Sequence, residues 1–190
     1  MVLGSASSTL IREGTEPDVW DSPLGNWFTD AIRWGTGADV AFQNNGGIRK
    51  DLEEGPVTIE DLFEMNFPDE LYIFEVTGKE LLAILEHDVR NGKERPMQVS
   101  GLRYTFDRSQ PEGSRIVQST VDPDKVYTVA AEDHLCHRGE RFLGREVAFV
   151  ETGVQIVDAQ IRYARKMGRI VAKSEGRIKE IGTSQLGPSE

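Results

Sequence analysis

The sequence predicts an α+β fold, a mixed β-sheet layered with helices, and three observations carry that reading. Amphipathic helical stretches with recognisable starts are interspersed with short runs rich in β-branched and aromatic residues. Several of those runs are joined by turns far shorter than the roughly dozen residues that a parallel crossover needs, which points to antiparallel pairs within a sheet that also takes helices. The chain's 190 residues suffice for one sizeable core, and two domains would be a stretch.

In chain order, residues 1–16 show little to bury and are expected to be a flexible lead. The domain is expected over 17–181, with a Gly-, Ser- and Pro-containing flexible tail at 182–190. Ser22 followed by Pro23 reads as an N-cap and first helical position. Leu24, Trp27, Phe28 and Ala31 recur at helical spacing to about Trp34, and Gly35 and Gly37 stop the run. ADVAFQNN has the character of a buried strand and delivers NNGGIR at its carboxyl end. Thr58 with Asp61 and Thr77 with Glu80 have the spacing of capping boxes, opening IEDLFEM and GKELLAILEHDVRN. Leu81, Leu82, Leu85 and Val89 form the apolar stripe of the second, and Gly92 and Pro96 close it. ELYIFEV between them is a strand. LRYTFD, IVQSTV and VYTVAA read as an antiparallel run with Asp-Pro-Asp at 122–124 as its last turn. VAFVET is a further strand and GVQIVDAQIRYARKM a helix buried through Val157, Ile161 and Ala164, ending at Gly168. GRIKEI adds an edge strand.

Charge narrows the function classes. Thirty-two acidic against twenty-two basic side chains leave a formal net charge of −10, which disfavours non-specific binding to nucleic acid or to an anionic membrane. No run approaches the roughly 20 apolar residues of a membrane span. The first residues lack the basic start and apolar centre of a signal peptide, as expected of a cytosolic protein or of a piece of a longer one. The single cysteine, Cys136, excludes an internal disulfide.

Two polar segments invite chemistry. In NNGGIRK an arginine offers a planar, always charged fork and the glycines allow close backbone approach to a ligand; the plain alternative is a turn whose arginine faces solvent. AEDHLCHRGERF, at 131–142, gathers Asp133, His134, Cys136, His137 and Glu140. A zinc site there lacks the usual paired ligand sets. A Cys136–His137 dyad is disfavoured because neighbours on an extended segment point in opposite directions. A ligand-facing loop is the expectation, with no catalytic and no metal-ligating residue assigned.

Three segments in fixed order, DSPLGNWFTDAIR, ADVAFQNNGGIRKDL and GPVTIEDLFEMNFPDEL…VTGKELLAILE, resemble the C-terminal domain of the 5′-nucleotidase family, and a weaker likeness extends to EGRIKEI. The resemblance implies a domain that grips a nucleoside or nucleotide. Its partner would be an N-terminal metallophosphatase domain whose two divalent metal ions activate water; the Asp-x-His and Asn-His-Glu/Asp motifs of that domain are not found among these residues. It also implies roles. Asn44 and Arg49 match substrate-contacting residues, Phe67 the first base-stacking aromatic, His134 the place of a second, and Glu140 the place of a ribose-binding Asp. Asn45 stands where the family often has Gly. The family's arginine upstream of the Leu-Gly-Asn helix has its matching place near Asp18, and Arg12 lies too far upstream in sequence to be assigned. The expected function is substrate recognition for nucleotide phosphate-ester hydrolysis, in a family typically found in the periplasm or at the cell surface. A non-catalytic nucleoside- or protein-binding module and a hydrolase of cyclic nucleotides, sugar nucleotides or another ester are the alternatives.

Overall fold

Period-two alternation along the strands divides the fold into two apolar cores, one on each face of a central sheet. The computed structural model describes residues 1–14, 16–90 and 95–181. Its elements are β1 (Val2–Ala6), α1 (Pro23–Thr36), β2 (Val40–Gln43), a 3₁₀ turn (Asn45–Gly47), β3 (Gly55–Thr58), α2 (Ile59–Glu64), β4 (Glu70–Thr77), α3 (Gly78–Asp88), β5 (Gln98–Ser100), β6 (Tyr104–Phe106), β7 (Ile116–Ser119), β8 (Val126–Glu132), α4 (Asp133–His137), α5 (Gly139–Phe142), β9 (Phe149–Gln155), α6 (Ile156–Met167), β10 (Arg169–Ile170) and β11 (Ile178–Glu180). The central sheet has the order β5-β2-β8-β4-β9, with β2 and β8 parallel and the other pairs antiparallel. This is an α+β fold with a mixed sheet.

Val40 and Phe42 of β2, Val129 and Ala131 of β8 and Phe74 and Val76 of β4 face one core, which α3 and the β6–β7 pair close. Their neighbours Ala41, Ala130 and Leu71 face the other, built on α1, α6, α2 and β1. The small alanines on that second face let α1 lie close to the sheet. Gly35 in turn lets α6 approach α1, since a Cβ there would lie 2.7 Å from that of Ala159.

The local signals for helix starts hold. Ser22 Oγ accepts from the Gly25 N–H, and both capping boxes form, at Thr58 with Asp61 and at Thr77 with Glu80. Helix α1 runs through Gly35 and stops at Gly37, whose φ of 72° is open to glycine at little cost. In α3, Leu82 is only half-buried, at the edge of the stripe.

Three expectations give way. Residues 1–16 are not a loose lead throughout: β1 pairs with β3 and β10, Leu3 and Ala6 are buried, and Leu10 is sealed against Leu52 through reciprocal backbone bonds. Strands β7 and β8 flank the Asp-Pro-Asp turn without pairing; β7 joins β6 and β11 in a separate sheet while β8 enters the central one. Within the 131–142 segment, Asp133–His137 and Gly139–Phe142 are helical rather than an extended loop. Gly92 and the tail at 182–190 lie outside the described residues.

The Leu-Gly-Asn helix start has a packing reason. Gln98 is fully buried and accepts from Ser22 N at 3.0 Å, while its Nε2 donates to Trp20 O and to Asn45 Oδ1 at 3.1 and 3.0 Å. A Cβ on Gly25 would lie 2.1 Å from Gln98 Oε1. Gly25→Ala is therefore expected to displace Gln98 from its bonds and to destabilise the chain by about 1–3 kcal/mol, read as a lower urea midpoint at unchanged slope.

Candidate functional site

The turn at the end of β2 is fastened from beneath and from both sides. Asn44 caps the 3₁₀ turn, its Oδ1 accepting from Gly47 N at 2.9 Å and from Gln43 Nε2 at 3.0 Å. Asn45 Nδ2 donates to the carbonyls of Arg95 and Pro96, and its Oδ1 receives Gln98. Asparagine in the place of the family's usual glycine thus serves to anchor the turn to the segment before β5. The turn ends at Arg49, whose Nη1 donates to Gly46 O at 2.9 Å and whose Cζ stands 4.8 Å from the centre of the Phe67 ring.

Beside this turn opens a cavity of about 730 Å³ whose walls include Asn44, Phe67, Asp69, Glu132, His134 and Phe142. Phe67 is 48% exposed, an unusual state for a ring with a purely structural role and an apt one for a stacking platform. His134 is exposed in the first turn of α4, with its ring 5.7 Å from that of Phe142. Arg141 also lines the cavity and lies over Phe142 at 5.2 Å. Of the five residues expected at the site, Asn44, Phe67 and His134 line one cavity and Arg49 stacks on its rim.

Glu140 does not join them. It is exposed and borders a separate cavity of about 510 Å³, with His137, Arg138 and Phe149. The cause is the helical path of 133–142, in which buried Leu135 and Cys136 pin one side of the chain and turn Glu140 outward. The same burial removes Cys136 from nucleophilic chemistry: desolvation, with Asp133 and Glu132 nearby, pushes its thiol up to about 12, so it stays protonated at neutral pH. His137 packs edge-on against Tyr72 and Phe149. Among the described residues no group of three or more His, Cys, Asp or Glu side chains could hold a metal ion.

Three participants were missed from sequence. Arg12, too distant in sequence to assign, donates through Nη1 to the carbonyls of Arg49 and Ile48 at 3.1 and 3.4 Å, which sets a second guanidinium on Arg49's own turn. Its backbone N–H donates to Asp51 Oδ1 at 2.8 Å. Asp69 and Glu132 form the acidic floor. Asp69 follows Phe67 by two residues and Glu132 precedes His134 by two, and the pairing of Leu71 with Glu132 between β4 and β8 brings the two acids together. No local motif marks this pair. A further cavity of about 750 Å³ has Asp30, Arg33, Trp34 and Arg177 in its wall. There Arg177 is committed to Asp30, Glu175 and Val99 O, which makes it an internal clamp on β11 rather than a ligand seat.

Burial first, and then a hydrogen bond shared with Asp69, raise Glu132 from 4.5 to about 8, against a smaller opposing effect of the Gln43 bond; Asp69 and Asp133 are the charges facing it. The folded chain thus holds a proton that the unfolded chain releases between pH 4.5 and about 8, and stability falls as pH rises through that window. Glu132→Gln, shaped like the protonated acid, is expected to flatten the fall, as measured by urea midpoints at about pH 5 and about pH 9.

Comparison with known proteins places the fold in a family. The family model described as 5′-nucleotidase, C-terminal domain, matches residues 2–145. An endonuclease, YhcR, of Bacillus subtilis is 29% identical over 97% of this chain and 16% of its own length. An apyrase of Tabanus yao is 28% identical over 95% of this chain and 38% of its own. The crystal structure of a 5′-nucleotidase precursor from Thermus thermophilus superposes with a TM-score of 0.82 at 32% identity, over 95% of this chain and 39% of that one. The chain thus spans well under half the length of these relatives. With its Leu-Gly-Asn helix start, Asn-Gly-Gly-Ile-Arg turn and α+β fold, it belongs to the family of 5′-nucleotidase C-terminal domains.

Proposed function

We propose that this chain is the substrate-recognition domain of a hydrolase of nucleotide phosphate esters. The observation that carries the reading is the Arg49 guanidinium stacked on half-exposed Phe67 at the rim of the cavity that Asn44 and His134 also line. A base would lie between Phe67 and the His134–Phe142 wall. The phosphate would lie toward Arg49 and Arg12, whose guanidinium groups have donors for its oxygens. Asn44 uses its Oδ1 within the turn, which leaves its Nδ2 for the ligand. Hydrolysis by two divalent metal ions would require ligands from outside the described residues, among which no group could hold such an ion.

A second reading keeps the hydrolase and changes its substrate to a cyclic nucleotide, a sugar nucleotide or another phosphate ester. It is favoured by the outward turn of Glu140, which removes an acceptor expected at the ribose, and by an imidazole in the place of the second aromatic.

Calorimetric titration with AMP, adenosine and UDP-glucose tests both. Phe67→Ala is expected to weaken every nucleoside ligand by about 1–3 kcal/mol, the worth of a stacked base. Arg49→Ala is expected to weaken AMP more than adenosine. A preference for UDP-glucose over AMP would favour the second reading, and no binding of any of them at millimolar concentration would overturn both. The chain by itself is expected to release no phosphate from AMP in the presence of divalent metal.

A further inference from the structure

The cavity that accepts the base has an acidic floor, a costly arrangement in a site expected to receive an anion. Glu132 is 2% exposed, and Asp69 is half-buried beside it. Gln43, fully buried, donates through Nε2 to Glu132 Oε2 at 3.2 Å and to Asn44 Oδ1 and O at 3.0 and 3.3 Å. Three acceptors around one amide nitrogen fix its orientation, and they leave Gln43 Oε1 buried without a hydrogen-bond partner among the described residues. The ligand turn lies directly over this group: a Cβ on Gly47 would be 2.2 Å from Gln43 Nε2 and 3.2 Å from Glu132 Oε2. The floor is therefore rich in acceptors and short of donors.

We propose that Asp69 and Glu132, adjacent in the floor of this cavity, are a specificity element that receives hydrogen-bond donors of the bound nucleoside, its exocyclic amine or its ribose hydroxyls. The inference rests on the reading of the cavity as a nucleoside site. Its physical content is a polarity along the cleft. Arg12 and Arg49 mark the end that suits a phosphate, and the acid pair marks a floor that repels one and attracts N–H or O–H groups. A site built around buried acceptors rejects an analogue that lacks the matching donor, because the acceptor is then left desolvated and unpaired. The pair also stands in for Glu140, which the helical path of 133–142 has taken out of this cavity.

The test compares three ligands in the wild type, in Asp69→Asn/Glu132→Gln and in Phe67→Ala. Adenosine offers both kinds of donor, purine riboside lacks the amine, and 2′,3′-dideoxyadenosine lacks the hydroxyls. In the wild type adenosine is expected to bind about tenfold tighter than at least one analogue, and the analogue that loses identifies the group received. In the double variant, with thermal unfolding confirming a folded chain, that gap is expected to close to about threefold or less. A gap that survives the double variant, a wild type that does not discriminate, or an equal loss for all three ligands overturns the acid pair as a specificity element. The Phe67→Ala arm tells this failure from that of the nucleoside reading: if it weakens all three ligands while the acid pair is silent, the cavity stands and only the role of the acid pair falls. If the wild type binds none of the three, both fall.

Discussion

The buried amide of Gln98 is the interaction on which the site depends. One side chain accepts from Ser22 N at the start of α1, donates to Trp20 O ahead of it, and donates to Asn45 in the turn that carries Asn44 and Arg49. The helix start and the turn after β2 are thereby held at a fixed separation by one residue of β5. Nothing larger than Gly25 fits against it. Asp21, also fully buried, extends the junction by accepting from Asn26 Nδ2 at 2.7 Å and from the backbone of Glu175 at 2.7 Å. Such a buried polar junction is worth more for specifying one geometry than for net stability, since each bond largely replaces one to water. That accounts for a motif of Leu, Gly and Asn at this helix start.

A second constraint comes from the register of the central sheet. Because β4 and β8 are adjacent and antiparallel, the loop that enters β4 at Phe67–Asp69 and the start of α4 at Asp133–His134, which follows β8, lie at the same end of the sheet. Aromatic side chains two residues farther out form the walls of the cleft, and the acids nearer the strand ends form its floor. The basic groups come from elsewhere, from the β2 turn and from the segment after β1. In a chain of net charge −10, Arg12 and Arg49 bring two guanidinium groups to one turn, with Asp51 Oδ1 3.9 Å from Arg12 Nε.

What could be read from the sequence was what local chemistry decides. Ser22-Pro23, Thr58 with Asp61 and Thr77 with Glu80 announce helix starts because the capping bonds span three residues. The NNGGIR turn could be located because it follows a short apolar run. Strand β1 could not be seen, since its five residues alternate weakly and its partners at 55–58 and 169–170 lie far along the chain. Strands β7 and β8 misled for a related reason: a turn signal implies a reversal, not a pairing, and here each strand found a better partner in a different sheet. Arg12 and the Asp69–Glu132 pair are the same problem within the site, because residues 37 and 63 positions apart meet only once the sheet exists.

The segment AEDHLCHRGERF shows how one misjudged local conformation rearranges a site. Taken as an extended loop, it presents His134 and Glu140 to the same ligand. The chain instead makes two short helices that meet at Arg138, with φ of −114°, where Gly139 passes so close to Arg145 that a Cβ would lie 2.5 Å from its carbonyl oxygen. Burial of Leu135 and Cys136 decides the outcome, since an apolar pair one turn in must face the core and thereby sets the phase of the whole segment. With that phase, His134 faces the cleft, Glu140 faces away, and the chain returns to the cleft at Phe142. The second wall is then an imidazole against a phenyl ring, and the acid that lines this cavity is not Glu140 at the segment's far end but Glu132, the last residue of the strand that feeds it.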